Sequence, residues 1–288
     1  MTKFFWRCPV CSKPLILFDR SFSCANRHTF DKAKEGYVNL LLAHKKKSAD
    51  PGDSKAMLLS RRAFLERDFY APLVNVLAER IQAAFPDSGK EKSAPLQILD
   101  AGCGEGYYAG KLQAILAEQA KLIGVDISRG AMQLSARRYP EMQTAVASAY
   151  DIPLSDNSVD VVIRIFAPAS DDEIARVLKP GGLYLWVYPG PQHLFALREL
   201  IYDTPQPHGE HMAVTAGLGL LVDEIAEVTY PMHLPDAAAV AGLLEMTPYY
   251  WSASEEKQRY CRELSELSLE ADFRVVQATY NPAASLNP

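Results

Sequence analysis

The chain has 288 residues, enough for one full α/β domain and a small appendage, and its 48% hydrophobic and 23% charged residues are the profile of a soluble globular protein. No apolar stretch is long enough to span a membrane, and the opening Met1-Thr2-Lys3-Phe4-Phe5-Trp6-Arg7 lacks the apolar core and cleavage site of a signal peptide, so a cytoplasmic protein with no membrane partner is expected. The net charge of -5 argues against a polyanion partner until its distribution is read: residues 1–67 hold 14 Lys or Arg against 6 Asp or Glu, and the remainder holds 16 against 29. A basic head on an acidic body points the head at a polyanion; the alternative is a solvated basic surface.

Residues 1–40 read as short turns and strand-like pieces. Five cysteines, Cys8, Cys11, Cys24, Cys103 and Cys261, are an odd number, which argues against a disulfide framework. Cys8-Pro9-Val10-Cys11 places two thiolates on one corner of a tetrahedron, and Cys24-Ala25-Asn26-Arg27-His28 supplies a second pair. Three Cys and one His suit a single structural zinc ion with no open position for water. The metal would replace the hydrophobic core that so short a segment lacks.

Residues 41–95 read as a basic connector and two helices. Lys45, Lys46 and Lys47 lead into Asp50-Pro51-Gly52-Asp53-Ser54, where Pro-Gly breaks regular structure and Asp53 or Ser54 can cap the next helix. The helices fall on either side of Phe69-Tyr70-Ala71-Pro72, with Arg61 and Arg62 in the first. Lys45, Lys46, Lys47, Arg61 and Arg62 are candidates for phosphate contacts, with a solvated linker as the alternative for the lysine run.

From residue 96 to residue 288 strands alternate with helices. Strands are predicted at Gln97–Asp100, Leu122–Asp126, Gln143–Ala147, Val159–Arg164 and Leu183–Tyr188, with closing strands near Leu220–Thr229 and Phe273–Tyr280. Helices are predicted at Tyr107–Gln119, Gly130–Arg138 and Asp171–Val177. This alternation implies an α/β fold with a mostly parallel, doubly wound sheet.

The sharpest motif is Asp100-Ala101-Gly102-Cys103-Gly104-Glu105-Gly106 at the end of a buried strand. Its glycines let a ligand approach the backbone, and Asp126 at the tip of the next strand can accept hydrogen bonds from ribose hydroxyls. Cys103 reads as a small packed thiol. With Ala147-Ser148-Ala149-Tyr150-Asp151 and Leu178-Lys179-Pro180-Gly181-Gly182, this pattern resembles the class I (Rossmann-like) methyltransferases. The resemblance implies S-adenosylmethionine as cofactor, held by Asp100, Gly102, Gly104, Gly106 and Asp126.

A closer resemblance covers nearly the whole chain. His28-Thr29-Phe30-Asp31, Lys34-Glu35-Gly36-Tyr37-Val38-Asn39-Leu40-Leu41, Arg61-Arg62-Ala63-Phe64-Leu65, Arg164-Ile165-Phe166-Ala167-Pro168, Pro189-Gly190-Pro191-Gln192-His193-Leu194 and Met246-Thr247-Pro248 resemble the RlmA (RrmA) family. Those enzymes methylate guanine N1 in a domain II hairpin of 23S rRNA. Tyr107-Tyr108 and the Asp-Pro-Gly-Asp segment resemble its housekeeping subgroup rather than the macrolide-resistance subgroup. The resemblance implies zinc ligands Cys8, Cys11, Cys24 and His28, cofactor contacts from Tyr70, Gly104, Glu105 and His193, and a homodimer that frames an RNA cleft. Pattern alone would place Tyr70 in a helix-pair core and make His193 the cap of a helix starting at Leu194.

The target-base pocket is expected at Arg164, Phe166 and Pro168, on the carboxyl edge of the sheet. Phe166 stands where the family commonly has tyrosine, so stacking survives as its role and proton transfer does not. Arg164 would support guanine O6 or pair with an acid. No residue's context identifies the general base. The competing readings are a methyltransferase for a small molecule and a non-catalytic zinc-containing RNA-binding protein.

Overall fold

The computed structural model describes residues 6–45, 52, 54–86, 94–209, 214–215 and 217–286. The head contributes β1 (Ile16–Phe18), β2 (Ser21–Ser23), β3 (Thr29–Asp31) and β4 (Val38–Asn39). The connector carries α1 (Lys55–Leu65) and α2 (Ala71–Ala84). There follow β5 (Leu96–Ala101), α3 (Tyr107–Leu116), β6 (Ala120–Asp126), α4 (Arg129–Arg138), β7 (Gln143–Val146), β8 (Val159–Ile165), α5 (Asp171–Val177) and β9 (Leu178–Pro189). The chain closes with α6 (Phe195–Ile201), β10 (Leu220–Leu234), α7 (Ala237–Glu245), α8 (Tyr249–Ser252), α9 (Glu255–Glu263) and β11 (Leu267–Tyr280).

The predicted strands and helices are all present, some of them longer than expected. β9 begins five residues early because Lys179-Pro180-Gly181-Gly182 is absorbed as a register shift against β8 instead of standing as a separate turn. Helices α7 to α9 fill the stretch between the closing strands, where the sequence reading placed no element. Ser54 caps α1, its hydroxyl accepting from the Met57 amide at 3.3 Å. Asp53, the other candidate cap, lies outside the described residues, as do Lys46 and Lys47.

The main sheet runs β10-β11-β9-β8-β5-β6-β7-β4. Strands from β9 to β4 are parallel, and β11 runs against β9 and β10. The strand order reverses between β5 and β8, so the loops leaving their carboxyl ends part and open a crevice. Because strand side chains alternate, each strand feeds two cores. Ile98, Ile163 and Leu185 join Leu73, Leu77, Leu112 and Leu243 on one face. Leu99, Val162 and Tyr184 join the other.

That second core extends into the N-terminal head. It includes Trp6, Cys8, Leu15 and Phe22 of the head. The head also donates β4 to the sheet, Val38 pairing with Ala145 and Asn39 with Val146, and Trp6 bridges to Leu154. The small module therefore borrows a hydrophobic core from its neighbour in addition to having a metal-ligand cluster. No helix of the described residues is long and apolar enough to cross a membrane.

Trp6 is almost fully buried at this junction. Trp6→Ala should destabilise the protein by about 3–5 kcal/mol, read as a lowered urea midpoint. A loss below about 1 kcal/mol would mean that the head contributes little to the shared core.

Candidate functional site: a zinc cluster and a cofactor-sized crevice

Two tight turns present the zinc ligands. Ser12 and Arg27 adopt left-handed φ of 59° and 64° just past Cys11 and Cys24. The Ser12 amide donates to the Cys8 carbonyl at 2.8 Å, and the Arg27 amide to the Cys24 carbonyl at 2.9 Å. The ligand atoms of Cys8, Cys11, Cys24 and His28 all lie within 4.8 Å of one another. Cys8 Sγ and Cys24 Sγ are each 3.5 Å from His28 Nδ1, and Cys11 Sγ is 3.6 Å from Cys24 Sγ. Zinc bonds of about 2.0–2.3 Å at tetrahedral angles give edges of roughly 3.5–3.8 Å, so these residues fit one zinc ion. Four protein ligands make it structural.

The crevice at the switch point encloses about 670 Å³. Tyr70, Asp100, Gly102, Gly104, Glu105, Asp126, Arg164, Phe166, Pro168 and His193 all line it. Arg61 lines it too, and its Nη2 donates to the Met246 carbonyl at 3.4 Å. Gly106 does not; it begins α3 with φ 89°, and a Cβ there would meet Ser135 Oγ at 2.5 Å, so it serves helix packing.

Asp126 organises the cofactor half. Its Oδ2 accepts from the Gly104 amide at 2.9 Å and its Oδ1 from the Ser128 amide at 2.7 Å. A carboxylate at the tip of the second strand is the kind of group that accepts hydrogen bonds from ribose hydroxyls. Asp100 is 1% exposed, and its Oδ2 has no hydrogen-bond partner. Burial, reinforced by the charge of Asp126, pushes its carboxyl up to about 8. A buried carboxyl lacking a donor, beside hydroxyl acceptors, fits a cationic ligand with a ribose, as S-adenosylmethionine is. Glu105 is buried against Arg62, whose Nε donates to it at 3.1 Å and whose Nη2 donates to the Leu134 carbonyl at 3.2 Å. Burial raises the Glu105 carboxyl even so, with Arg62 opposing. Arg62 is thus committed to the glycine loop. Cys103 is buried, and burial pushes its thiol well up, as a packed thiol requires.

His193 does not cap α6, which has no side-chain cap. The Asp272 amide donates to its Nδ1 at 3.2 Å, and its Nε2 faces Tyr70 Oη at 3.5 Å. Since Nδ1 accepts, the ring proton sits on Nε2 and points at the Tyr70 oxygen. The Tyr70 proton is then left for a ligand. Burial pushes His193 down to about 3, so it is neutral. Asp272 itself is buried. Its Oδ2 accepts from the Gln192 amide at 2.9 Å, and a Cβ on Gly190 would sit 2.2 Å from its Oδ1.

The other half is built on the turn after β8. Phe166 has a left-handed φ of 52°, a strain of about 1–2 kcal/mol for a residue with a Cβ. Arg164 braces this turn. Its Nε donates to the Ala167 carbonyl at 2.6 Å, its Nη1 lies 3.3 Å from Tyr184 Oη and 3.4 Å from Asp171, and the guanidinium packs over the Trp186 ring. Pairing with an acid is therefore the arrangement present. Phe166 stacks on His193 with centroids 6.0 Å apart, yet stays 43% exposed in the cavity wall. Asp272, His208 and Tyr249 complete the neighbourhood, and sequence reasoning missed all three because none sits in a local motif. Lys45 stands outside the cavity, its Nζ 2.5 Å from Asp151.

Strand order, glycine loop and the acid at the tip of β6 together define a class I methyltransferase that uses S-adenosylmethionine. A family model described as "RlmA, N-terminal" matches residues 6–49, and one described as "Methyltransferase domain" matches residues 98–182. The 23S rRNA (guanine(748)-N(1))-methyltransferase of Streptomyces fradiae is 38% identical over 192 residues, 66% of this chain and 65% of that one, just under two thirds of its length. YxjB of Bacillus subtilis (strain 168), whose name carries a provisional 23S rRNA (guanine-N(1)-)-methyltransferase assignment, is 30% identical over 283 residues, 94% of this chain and 95% of that one. A Micromonospora griseorubida protein with the same provisional assignment is 35% identical over 205 residues, 66% of this chain and 68% of that one. The chain belongs to the RlmA family of 23S rRNA (guanine-N1)-methyltransferases.

A His held neutral at about 3 in the fold and titrating near 6.5 when unfolded binds its proton preferentially in the unfolded chain. Its contribution is therefore whole above pH 6.5 and is lost as pH falls toward 3. His193→Asn keeps an acceptor for the Asp272 amide but cannot titrate. Its stability should fall less steeply than wild type over that window, by up to about 1.4 kcal/mol per pH unit. Parallel urea-stability curves for the two proteins would refute the buried neutral histidine.

Proposed function

We propose that this protein transfers a methyl group from S-adenosylmethionine to N1 of a guanine in a domain II hairpin of 23S rRNA. The observation that carries this reading is one continuous crevice holding both an acid-rich cofactor half and an exposed, braced aromatic at the carboxyl end of β8. Three relatives named for this reaction, one of them aligned over nearly its whole length, support the substrate class.

When bound, S-adenosylmethionine supplies an electrophilic methyl group. Asp126 would receive the ribose hydroxyls, and the amides of the glycine loop would line the cofactor. Asp100, Tyr70 and His193 would meet its polar groups, with Glu105 holding Arg62 behind the loop. Phe166 would stack on the target base and Pro168 would shape the wall, while Arg164 keeps Phe166 in its strained conformation. Positioning of this kind replaces lost translational freedom and is the main service a protein can give to a methyl displacement. A guanine inside RNA structure must be extruded to reach the cavity.

The basic head and connector, with Lys45, Lys46 and Lys47, would grip the phosphates, while Arg61 and Arg62 support the site from within. A homodimer framing the RNA, a cytoplasmic location and membership of the housekeeping subgroup belong to the same reading. Tyr107 and Tyr108, in place of histidines after the glycine loop, support the subgroup.

Incubation with labelled S-adenosylmethionine and unmethylated 23S rRNA should yield 1-methylguanosine at one hairpin guanine by nucleoside mass spectrometry, and the position will assign the subgroup. Phe166→Ala should lose turnover by about 10²-fold while still binding S-adenosylhomocysteine. Absence of transfer by a cofactor-binding wild type would remove rRNA as the substrate and favour a small molecule.

A further inference from the structure

Guanine N1 carries a proton at neutral pH, and the site needs a group to take it. The family resemblance and the cofactor half do not name one. A cluster around Tyr249, which lines the same crevice as Phe166, supplies the missing chemistry. Arg198 on α6 is only 7% exposed, and its Nε and Nη1 have no hydrogen-bond partner. Among the described residues no carboxylate forms an ion pair with it. Its guanidinium lies instead 5.8 Å from the Phe195 ring centroid and 5.9 Å from that of Tyr249. A buried cation without an anion is costly unless an anion forms beside it.

Tyr249 and His208 stand where that anion would form. Tyr249 Oη is 2.7 Å from His208 Nε2. Both side chains line the crevice that Phe166 and His193 line, and the His208 ring is 6.3 Å from that of His193. The His208 amide donates to the Pro191 carbonyl at 3.1 Å, which ties its loop to the segment carrying His193. His193 cannot serve as the acceptor, because its Nδ1 is occupied by the Asp272 amide and its Nε2 carries the proton.

We propose that the Tyr249–His208 pair takes the N1 proton of the target guanine and that Arg198, packed against the Tyr249 ring behind the crevice wall, favours passage of the Tyr249 proton to His208, an inference that rests on guanine N1 as the target. The N1–H bond breaks and its proton passes to Tyr249 Oη, while the Tyr249 hydroxyl proton passes to His208 Nε2. This requires His208 to start with its proton on Nδ1 and leaves it as an imidazolium. The electron pair stays on the guanine, spread over N1 and O6, and would then form the bond to the methyl carbon as the carbon–sulfur bond breaks, its electron pair going to the sulfonium sulfur and S-adenosylhomocysteine leaving. His208 is half-buried and can return its proton to water. Burial pushes the Tyr249 phenol up to about 12, with Arg198 opposing, so the relay starts from a protonated tyrosine. Besides His208, the groups facing Tyr249 among the described residues are Arg198, Tyr70 and Tyr202, whose ring lies 6.2 Å away, and His193 faces His208.

The test uses the full-length zinc-loaded protein, in vitro-transcribed 23S rRNA and single-turnover rates from about pH 5.5 to 9. Wild type should show an acid limb that levels off as His208 becomes neutral. Tyr249→Phe and His208→Gln should bind S-adenosylhomocysteine within about threefold of wild type yet lose at least about 10²-fold in rate at neutral pH. Their rates should climb with hydroxide without levelling near neutrality. A wild-type rate that is flat across the acid range overturns the proposal, as do variants within about threefold of wild type that keep the acid limb. Should His208→Gln lose cofactor binding, Tyr249→Phe, which removes one oxygen, decides. A wild type that binds cofactor but forms no 1-methylguanosine defeats the rRNA reading itself, a result separable from failure of the pair alone.

Discussion

The site depends on one steric constraint, the approach of Gly102 to Ala167. A Cβ on Gly102 would come within 2.3 Å of the Ala167 methyl, and Gly102 holds a φ of 90° that disfavours any side chain. Here the loop after β5 touches the turn after β8. The first carries Gly104 and Glu105, and the second carries the exposed ring of Phe166. Their separation is therefore set by backbone against methyl and not by flexible side chains. Because β5 pairs with both β6 and β8, any displacement of one half would have to break parallel ladders that are buried on both faces. A displacement reaction needs this kind of rigidity, since its rate depends on alignment at the level of tenths of an ångström.

The zinc head is bound into the same framework. Its strand β4 extends the edge beyond β7, and its Trp6, Leu15 and Phe22 share a core with Leu99 and Val162 of the central strands. Leu99 immediately precedes Asp100, and Val162 lies two residues before Arg164. The head therefore packs on the strands whose tips build the site. A cluster of four ligands holds the head's own turns, while the sheet supplies the apolar burial that a segment of this size cannot assemble alone.

Much of this was legible in the chain because its signals are local. The glycine loop, the acid at the tip of the next strand, the paired cysteines and the alternation of strands and helices each occupy a short window, and each is present as expected. The closing helices were not legible, since α7 to α9 sit between long antiparallel strands with no strand-helix alternation to announce them. Gly106 reads as part of the cofactor loop but faces Ser135 and Tyr139, a packing that only the docking of α4 reveals. Arg61 and Arg62 read as candidates for phosphate contacts. The fold turns them inward because Glu105 is buried and must find a cation. Tyr70 sits in the packed environment expected of a helix-pair core, buried beside Phe64 and Phe273, while its hydroxyl reaches His193.

The residues that stayed hidden share a physical character: they act through contacts distant in sequence. Asp272 lies 79 positions from His193, yet its backbone amide decides which nitrogen of that ring carries the proton. Its carboxylate then needs Gly190, because a side chain there would occupy its space. The consequence passes along the chain of contacts. With the proton on Nε2, the Tyr70 oxygen is an acceptor and its hydroxyl proton is available to the cavity. Had the amide been absent, the other tautomer could form and Tyr70 would donate to His193 instead, leaving no donor at that point of the wall. The strand next to β9 thus sets the polarity of a hydroxyl in the crevice. That assignment follows from the direction of one hydrogen bond, which no spacing of residues in the sequence encodes.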